Sequence, residues 1–338
     1  MDACSAPTSA NYQIYRVCLS RAMSTNYQCG SACRVSVQLM SEFRDDSADN
    51  TVLRRCTFRF NLKSASSAES AGICAKPVKI SKNCYFYDLA FPDTVGKYQL
   101  VISVECDDNS FILIPMTSDV FELAPTLPAE RGVLLSAYWR YDTLGPDSPL
   151  VMREEFGSTL GSHVWDSAVV FTRHLNYCLD RCQLSKRETA VELGAGCGLA
   201  GIAVSKFFER VVITDKACNV PFMRCNISIN CCEDIVRPAA LDWASASDIA
   251  AFTETNADSI DLIIAADVLY DIPAANLLFS LLKIMSAPEK TCILLGQKLR
   301  PLGDHTSRFD ITALPDFDAE RIVEEAHVII WKIVPKKM

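Results

Sequence analysis

The sequence predicts an α/β fold built on a Rossmann-like parallel sheet, preceded by a smaller all-β, sandwich-like domain. Three observations predict it. Residues 1 to 125 hold short runs of Val, Ile, Phe, Tyr and Thr separated by polar stretches, the grammar of an antiparallel sandwich or barrel. From Ser162 onward helix-like and strand-like segments alternate, as they do around a parallel sheet. Within that second half, the apolar strand Thr189–Leu193 runs directly into a Gly-rich turn and a helix.

The chain has 338 residues, enough for two domains of ordinary size. With 49% hydrophobic and 22% charged residues it can bury a sizeable core. A formal net charge of −8 and the lack of any basic run argue against nucleic acid as the main partner. Lys336-Lys337 reads as a solvated tail. Residues 1–13 have neither a basic start nor an apolar stretch, so no secretory leader is expected. No apolar run reaches the roughly 20 residues of a membrane span, and Asp261 and Asp267 interrupt the segment Ile260–Tyr270. A soluble protein of the cytoplasm is expected, with no membrane partner. The oligomeric state is not legible.

Sixteen Cys are spread over both halves. Without a leader, and without a C-x-x-C pair, they read as free thiols. Cys29 and Cys33 are four apart, as are Cys178 and Cys182, and Cys231-Cys232 are adjacent. His163, His174, His305 and His327 lie at no zinc-like spacing from them, so no metal site is expected.

In the first half the expected strands are Tyr12–Leu19, Arg34–Met40, Arg55–Leu62, Val78–Leu89, Tyr98–Glu105, Phe111–Met116 and Val120–Leu123. Val35, Val37 and Leu39 alternate with period two, as do Phe58 and Phe60. This half holds no His and no catalytic cluster, and its expected role is binding or scaffolding. The Pro-bearing stretch Ala124–Arg131 reads as a linker, dividing the chain into 1–125 and 126–338. Val133–Tyr141 and Leu150–Glu154 read as a hairpin about a Gly145-Pro146 turn. Trp165, Ala168, Thr172, Leu175 and Leu179 fall on one face of a helix that also carries His174. Cys292–Leu295 reads as a strand with Gln297-Lys298-Leu299-Arg300 as its following loop, His327 as part of a late apolar strand, and Val328–Val334 as the closing strand of the sheet.

The candidate ligand site starts at Glu192-Leu193-Gly194-Ala195-Gly196-Cys197-Gly198. Glycines let backbone approach a ligand without a Cβ in the way, and the helix expected over Ala200–Phe208 offers its N-terminus to an anion. The next strand, Val211–Asp215, ends in an acid about 20 residues beyond the first Gly, where a carboxylate can accept from both ribose hydroxyls. Gly196 to Gly201 also fits the dinucleotide pattern G-x-G-x-x-G.

The second half resembles the seven-strand protein-lysine methyltransferases known as methyltransferase family 16, over roughly residues 130–338. Val164-Trp165-Asp166-Ser167-Ala168 is similar to the family's V-W-D-x-A, and Val191 to Ile202 to its E-L-G-A-G-x-G-L-x-G-I. Ile213-Thr214-Asp215 resembles its T-D strand end, Asn226 to Asn230 its N-x-x-x-N helix, and Leu241-Asp242-Trp243 its L-x-W. Asp261 to Tyr270 resembles D-x-I-x-x-A-D-x-x-Y. The resemblance implies a seven-strand methyltransferase sheet, S-adenosyl-L-methionine as cofactor in preference to a dinucleotide, and a protein substrate carrying the target lysine. The strand-rich half lies outside it.

What the resemblance implies residue by residue is as follows. Trp165 packs near the methionine part of the cofactor. Glu192, Gly194, Ala195 and Gly196 form its cradle, Asp215 holds the ribose, Trp243 stacks near the adenine and Asp242 lies near its amine. Ala266 touches the cofactor through backbone. Asp267 and Tyr270 line the channel that admits lysine, and Arg300 is a weaker candidate at the entrance. Each has a plain structural reading too: Trp165 and Trp243 as core, Asp215 and Asp267 as caps. A different nucleophile, such as histidine or a small-molecule amine, and a binding module without turnover are the alternatives.

Overall fold

A computed structural model describes residues 13–41, 55–67, 70–81, 84–108, 110–145, 147–155, 159–184, 187–256, 260–269, 272–288, 290–300 and 309–336. The chain divides into two compact units, Tyr12–Arg140 with Arg153–Ser158, and Tyr141–Met152 with Thr159–Met338.

The first unit is built of β1 (Gln13–Leu19), β2 (Asn26–Gln28), β3 (Ala32–Met40), β4 (Cys56–Ser64), β5 (Ser70–Gly72), β6 (Cys74–Ser81), β7 (Cys84–Ala90), β8 (Gly96–Cys106), β9 (Phe111–Ile114), β10 (Met116–Ser118), β11 (Phe121–Ala124) and β12 (Ser136–Tyr141), together with the end of β13 (Leu150–Glu155), whose first three residues belong to the second unit. One sheet runs β6-β7-β3-β1-β9; the other runs β13-β12-β10-β8-β11-β2, with β4 on β8 and β5 on β4. The alternation in β4 turns Phe58, Phe60 and Leu62 inward. The Phe60 and Tyr87 rings meet across the sheets at 4.7 Å, and Trp139 Nε1 donates to Val17 O at 3.0 Å. The sheets therefore pack as a sandwich.

Four features depart from the sequence expectation. The run Phe111–Met116 is not one strand: Pro115 lacks an N–H to continue a ladder, so β9 pairs with β1 in one sheet while β10 pairs with β8 and β12 in the other. The run Val78–Leu89 folds back on itself as β6 and β7, with Ser81 opposite Cys84. The β1–β9 and β2–β11 pairs are parallel, so the sandwich is not purely antiparallel. The strand-rich unit also runs past residue 125, since β12 lies beside β10.

The second unit holds α1 (Asp166–Arg173), α2 (Leu175–Cys182), β14 (Thr189–Leu193), α3 (Leu199–Val204), β15 (Arg210–Asp215), α4 (Val220–Ile229), β16 (Val236–Ala240), α5 (Ala246–Asn256), β17 (Leu262–Ala266), α6 (Ile272–Met285), β18 (Cys292–Lys298), β19 (Phe317–Glu325) and β20 (Val328–Pro335). Its seven-stranded sheet runs β16-β15-β14-β17-β18-β20-β19. Neighbours are parallel from β16 to β18, and β20 is antiparallel to both β18 and β19. β14 and β18 are buried at every residue, as strands covered on both faces must be. From β14 the chain winds one way to β15 and β16 and then crosses back to β17. The topological switch point, where ligands of such sheets bind, therefore lies at the carboxyl ends of β14 and β17.

Four local expectations are corrected. Trp165 is not on a helix: its backbone is extended and α1 begins after it. His174 interrupts the expected continuous helix and separates α1 from α2. Lys298 belongs to β18 rather than to a loop. His327 is not in a strand but forms, with Ala326, the two-residue turn between β19 and β20, at φ 59° and 51°, as a tight hairpin of this twist demands. The cysteines are not all free either. Cys182, the last residue of α2, is disulfide-bonded to Cys292, the first of β18. Their separation of 110 residues hid the pair from any local reading. Among the described residues no helix is long and apolar enough to cross a membrane.

Candidate functional site

The turn after β14 is shaped by three left-handed glycines, Gly194 (φ 67°), Gly196 (φ 52°) and Gly198 (φ 86°). Left-handed backbone at all three positions bends the chain sharply between β14 and α3, a conformation that glycine adopts without strain. A Cβ on Gly194 would lie 2.7 Å from Val268 Cγ1 and 3.2 Å from the Trp243 ring. One on Gly196 would lie 3.0 Å from Gly161 O. The loop thus closes against Val268 and the Trp243 indole on one side and the Leu160–Ser162 turn on the other. Ala195 N–H donates to Thr214 O at 2.9 Å. Asn226 Nδ2, from α4, donates to Cys197 O at 3.0 Å. Asn230 binds both backbone groups of Val151, at 3.0 and 2.8 Å, so Asn226 and Asn230 tie the end of α4 to the glycine turn and to β13.

Asp215 ends β15 beside the loop. Its Oδ2 accepts from Gly196 N at 2.7 Å, and its Oδ1 from Lys216 N at 2.7 Å and Asn219 Nδ2 at 2.9 Å. An ionised carboxylate offers about four acceptor positions, so capacity for one ligand hydroxyl remains. Trp165 Nε1 donates to Leu160 O at 3.1 Å, fixing the half-buried indole over the same turn. Asp242 Oδ1 caps the turn ahead of α5 through Ala244 N at 3.0 Å. The half-buried Trp243 packs on the core beneath α5 and α6. Ala266 ends β17 opposite Gly296.

Glu192 lies beneath the loop rather than in it. It is 2% exposed and its Oε2 accepts from Gly201 N at 2.9 Å. A Cβ at Gly201 would overlap this oxygen and Ile213, which fixes glycine there. Burial pushes the carboxyl from the ordinary 4.5 up to about 8; the Gly201 N–H opposes this and Asp215 adds to it. A raised acid keeps its proton in the fold after the unfolded chain has lost it. Its contribution to stability is therefore complete below pH 4.5 and is lost as pH rises to 8. Glu192→Gln is expected to remove a slope of about 1.4 kcal/mol per pH unit across that window. Melting curves at pH 5 and 8 check this: the variant should lose less stability between them than the parent.

Asp267 follows β17 directly, held in the left-handed region at φ 58°. Its side chain is 2% exposed and is clasped by Arg300, whose two terminal nitrogens reach its two oxygens at 2.9 and 3.0 Å. Burial pushes the Asp267 carboxyl up from its ordinary value, against the downward pull of Arg300. Behind it sits a second buried pair, Lys298 Nζ to Asp166 Oδ2 at 2.7 Å, with Nζ also donating to Ala326 O at 3.0 Å. Tyr270 lies outside the described residues. Sequence reading gave Asp166 no role and ranked Arg300 low. The signal available was a Lys and an Arg at the end of an otherwise apolar strand.

The residues around this strand end fit S-adenosylmethionine. The glycine cradle admits backbone-close contact that any Cβ would fill, the flat Trp243 indole lies against it, and the Asp215 carboxylate stands at the next strand end.

Residues 145–310 match a family model described as lysine methyltransferase. Among curated proteins, the chain is 32% identical over 146 residues to protein N-lysine methyltransferase METTL21A of Xenopus tropicalis, covering 42% of this chain and 62% of that one. It is 28% identical over 218 residues to EEF1A lysine methyltransferase 3 of Xenopus tropicalis, covering 61% and 91%. It is 27% identical over 179 residues to a UPF0665 family protein of Schizosaccharomyces pombe, covering 45% and 52%. The chain thus spans between half and two thirds of the length of two of these three relatives.

Proposed function

We propose that the protein methylates lysine side chains of other proteins, with S-adenosylmethionine as the methyl donor; the match of residues 145–310 to a lysine methyltransferase family model supports this reading. The observation that carries this reading is the pairing of two strand ends at the switch point: the Gly194–Gly198 cradle after β14 and the buried Asp267 after β17. When bound, the cofactor supplies an electrophilic methyl on a sulfonium. The protein supplies position and exclusion of water. Gly194, Ala195 and Gly196 hold the methionine end with Trp165 beside them, Asp215 takes a ribose hydroxyl, and Trp243 and Asp242 flank the purine. Glu192 acts through the loop, by bracing Gly201. Asp267 and Ala266 border the path of the acceptor.

The acceptor is a protein, and the strand-rich unit is its expected docking surface. Thirteen cysteines outside any disulfide among the described residues, against one bonded pair, fit the cytoplasm. Incubation with methyl-labelled S-adenosylmethionine and cell extract tests the reading. Label in methyl-lysine after acid hydrolysis supports it. Label in methyl-histidine only would move the acceptor to another nucleophile, and binding of cofactor without any transfer would leave a binding module.

A further inference from the structure

Methyl transfer to an amine has a charge problem. The attacking nitrogen must hold a lone pair, yet lysine in water is an ammonium at neutral pH. A bare buried carboxylate at the acceptor's path makes this worse, since an opposite charge within a few ångströms favours the charged form. Asp267 is such a carboxylate, 2% exposed on its side chain. It is not bare: Arg300 covers both of its oxygens. The geometry is a forked, planar match, the strongest ion-pair arrangement available to a carboxylate.

The charged groups facing Asp267 come from two elements. Arg300 and Lys298 approach from the end of β18, and Asp166 from the start of α1. Lys298 is itself committed to Asp166 at 2.7 Å. Two cations therefore meet two anions. The β19–β20 turn fixes the arm that carries the cations: Ala326 O binds Lys298 Nζ at 3.0 Å and His327 O binds Leu299 N at 2.7 Å. The Glu325 side chain before that turn is held by His174 at 2.5 Å and Arg173 at 3.2 Å. Arg300 is thus delivered to Asp267 by a braced segment.

Resting on the transferase reading above, we propose that Arg300 is a positioning residue for the reaction: its two-pronged pair with Asp267 cancels the carboxylate's charge, so that the acceptor lysine docks as the neutral amine. The ammonium gives its extra proton to bulk water on entry. The nitrogen lone pair then forms the N–C bond as the C–S bond breaks, and that electron pair stays on sulfur as a neutral thioether. The new methylammonium carries the positive charge. With Arg300 removed, burial would leave Asp267 protonated until a lysine arrives; the incoming ammonium would then be the cation that holds it ionised, and the two would pair tightly and unreactively.

The test uses the full chain and a peptide around the lysine that label transfer identifies. In Arg300→Gln the pH profile of kcat/KM should move up by about one unit, a tenfold loss at pH 7 that is regained at pH 10. The loss should fall on kcat rather than KM. Calorimetry without cofactor gives a second reading: at pH 7 the variant should bind the lysine peptide about tenfold more tightly than its norleucine counterpart, where the parent shows little preference. The double variant Arg300→Gln/Asp267→Asn, with both charges gone, should return the profile to its original position. A profile that is scaled down without shifting, or a double variant no closer to the parent than Arg300→Gln, would overturn the proposal and leave the transferase reading intact. Failure of the parent to transfer label at any pH would overturn both.

Discussion

Gly194→Ala is expected to weaken S-adenosylmethionine binding about 100-fold, measured by calorimetry on the purified protein. Two costs add. A residue with a Cβ pays about 1–2 kcal/mol to remain left-handed, and Gly194 sits at φ 67°. The new Cβ also lies 2.7 Å from Val268 Cγ1 and 3.2 Å from Trp243, and Val268 is a 3% exposed core residue that cannot swing away. Together these come to about 3 kcal/mol, or roughly two decades in affinity at 1.4 kcal/mol per decade. The double variant Gly194→Ala/Val268→Ala should relieve the overlap but not the backbone, and so recover about one decade. Unchanged affinity in Gly194→Ala would mean that the cofactor does not approach this turn.

Lys298→Ala is expected to cost about 3–5 kcal/mol of stability, the usual loss when one partner of a buried ion pair is removed. Lys298 and Asp166 are 2% and 4% exposed on their side chains, so water cannot take over for the missing ammonium. Asp166 would be left to protonate or to drag water inward, and Ala326 O would lose its donor. At about 2–4 °C per kcal/mol for a domain of this size, the melting temperature should drop by about 10 °C. The charge-free pair Lys298→Met/Asp166→Leu should recover most of that loss, because two charges need no longer be held in an apolar interior. A drop equivalent to less than about 1 kcal/mol in Lys298→Ala would show the pair to be solvated.

Much of the proposed cofactor side was legible because its signals are local. Gly194, Gly196 and Gly198 are conspicuous in a run of buried residues, and the acid of Asp215 follows an apolar strand at a readable distance. Chain order alone placed β14, α3 and β15. The acceptor side was less legible. Arg300 and Asp267 are 33 residues apart, and Lys298 and Asp166 are 132 apart; no periodicity links such positions. The run Phe111–Met116 read as one strand because hydrophobicity does not say which sheet a residue joins, and only the change of partner at Pro115 does.

The sequence by itself determined the division into a strand-rich half and an alternating half, the glycine turn and the acids at the strand ends. These are properties of neighbouring residues: period, backbone freedom and side-chain type. Tertiary structure alone decided which charges meet. It closed Arg300 onto Asp267, buried Lys298 against Asp166, joined Cys182 to Cys292 and set Glu192 under the loop instead of in it. The physical reason is that the strength of a charge depends on its burial and its partners, and both are created only when β17 and β18 pair and α1 packs across them.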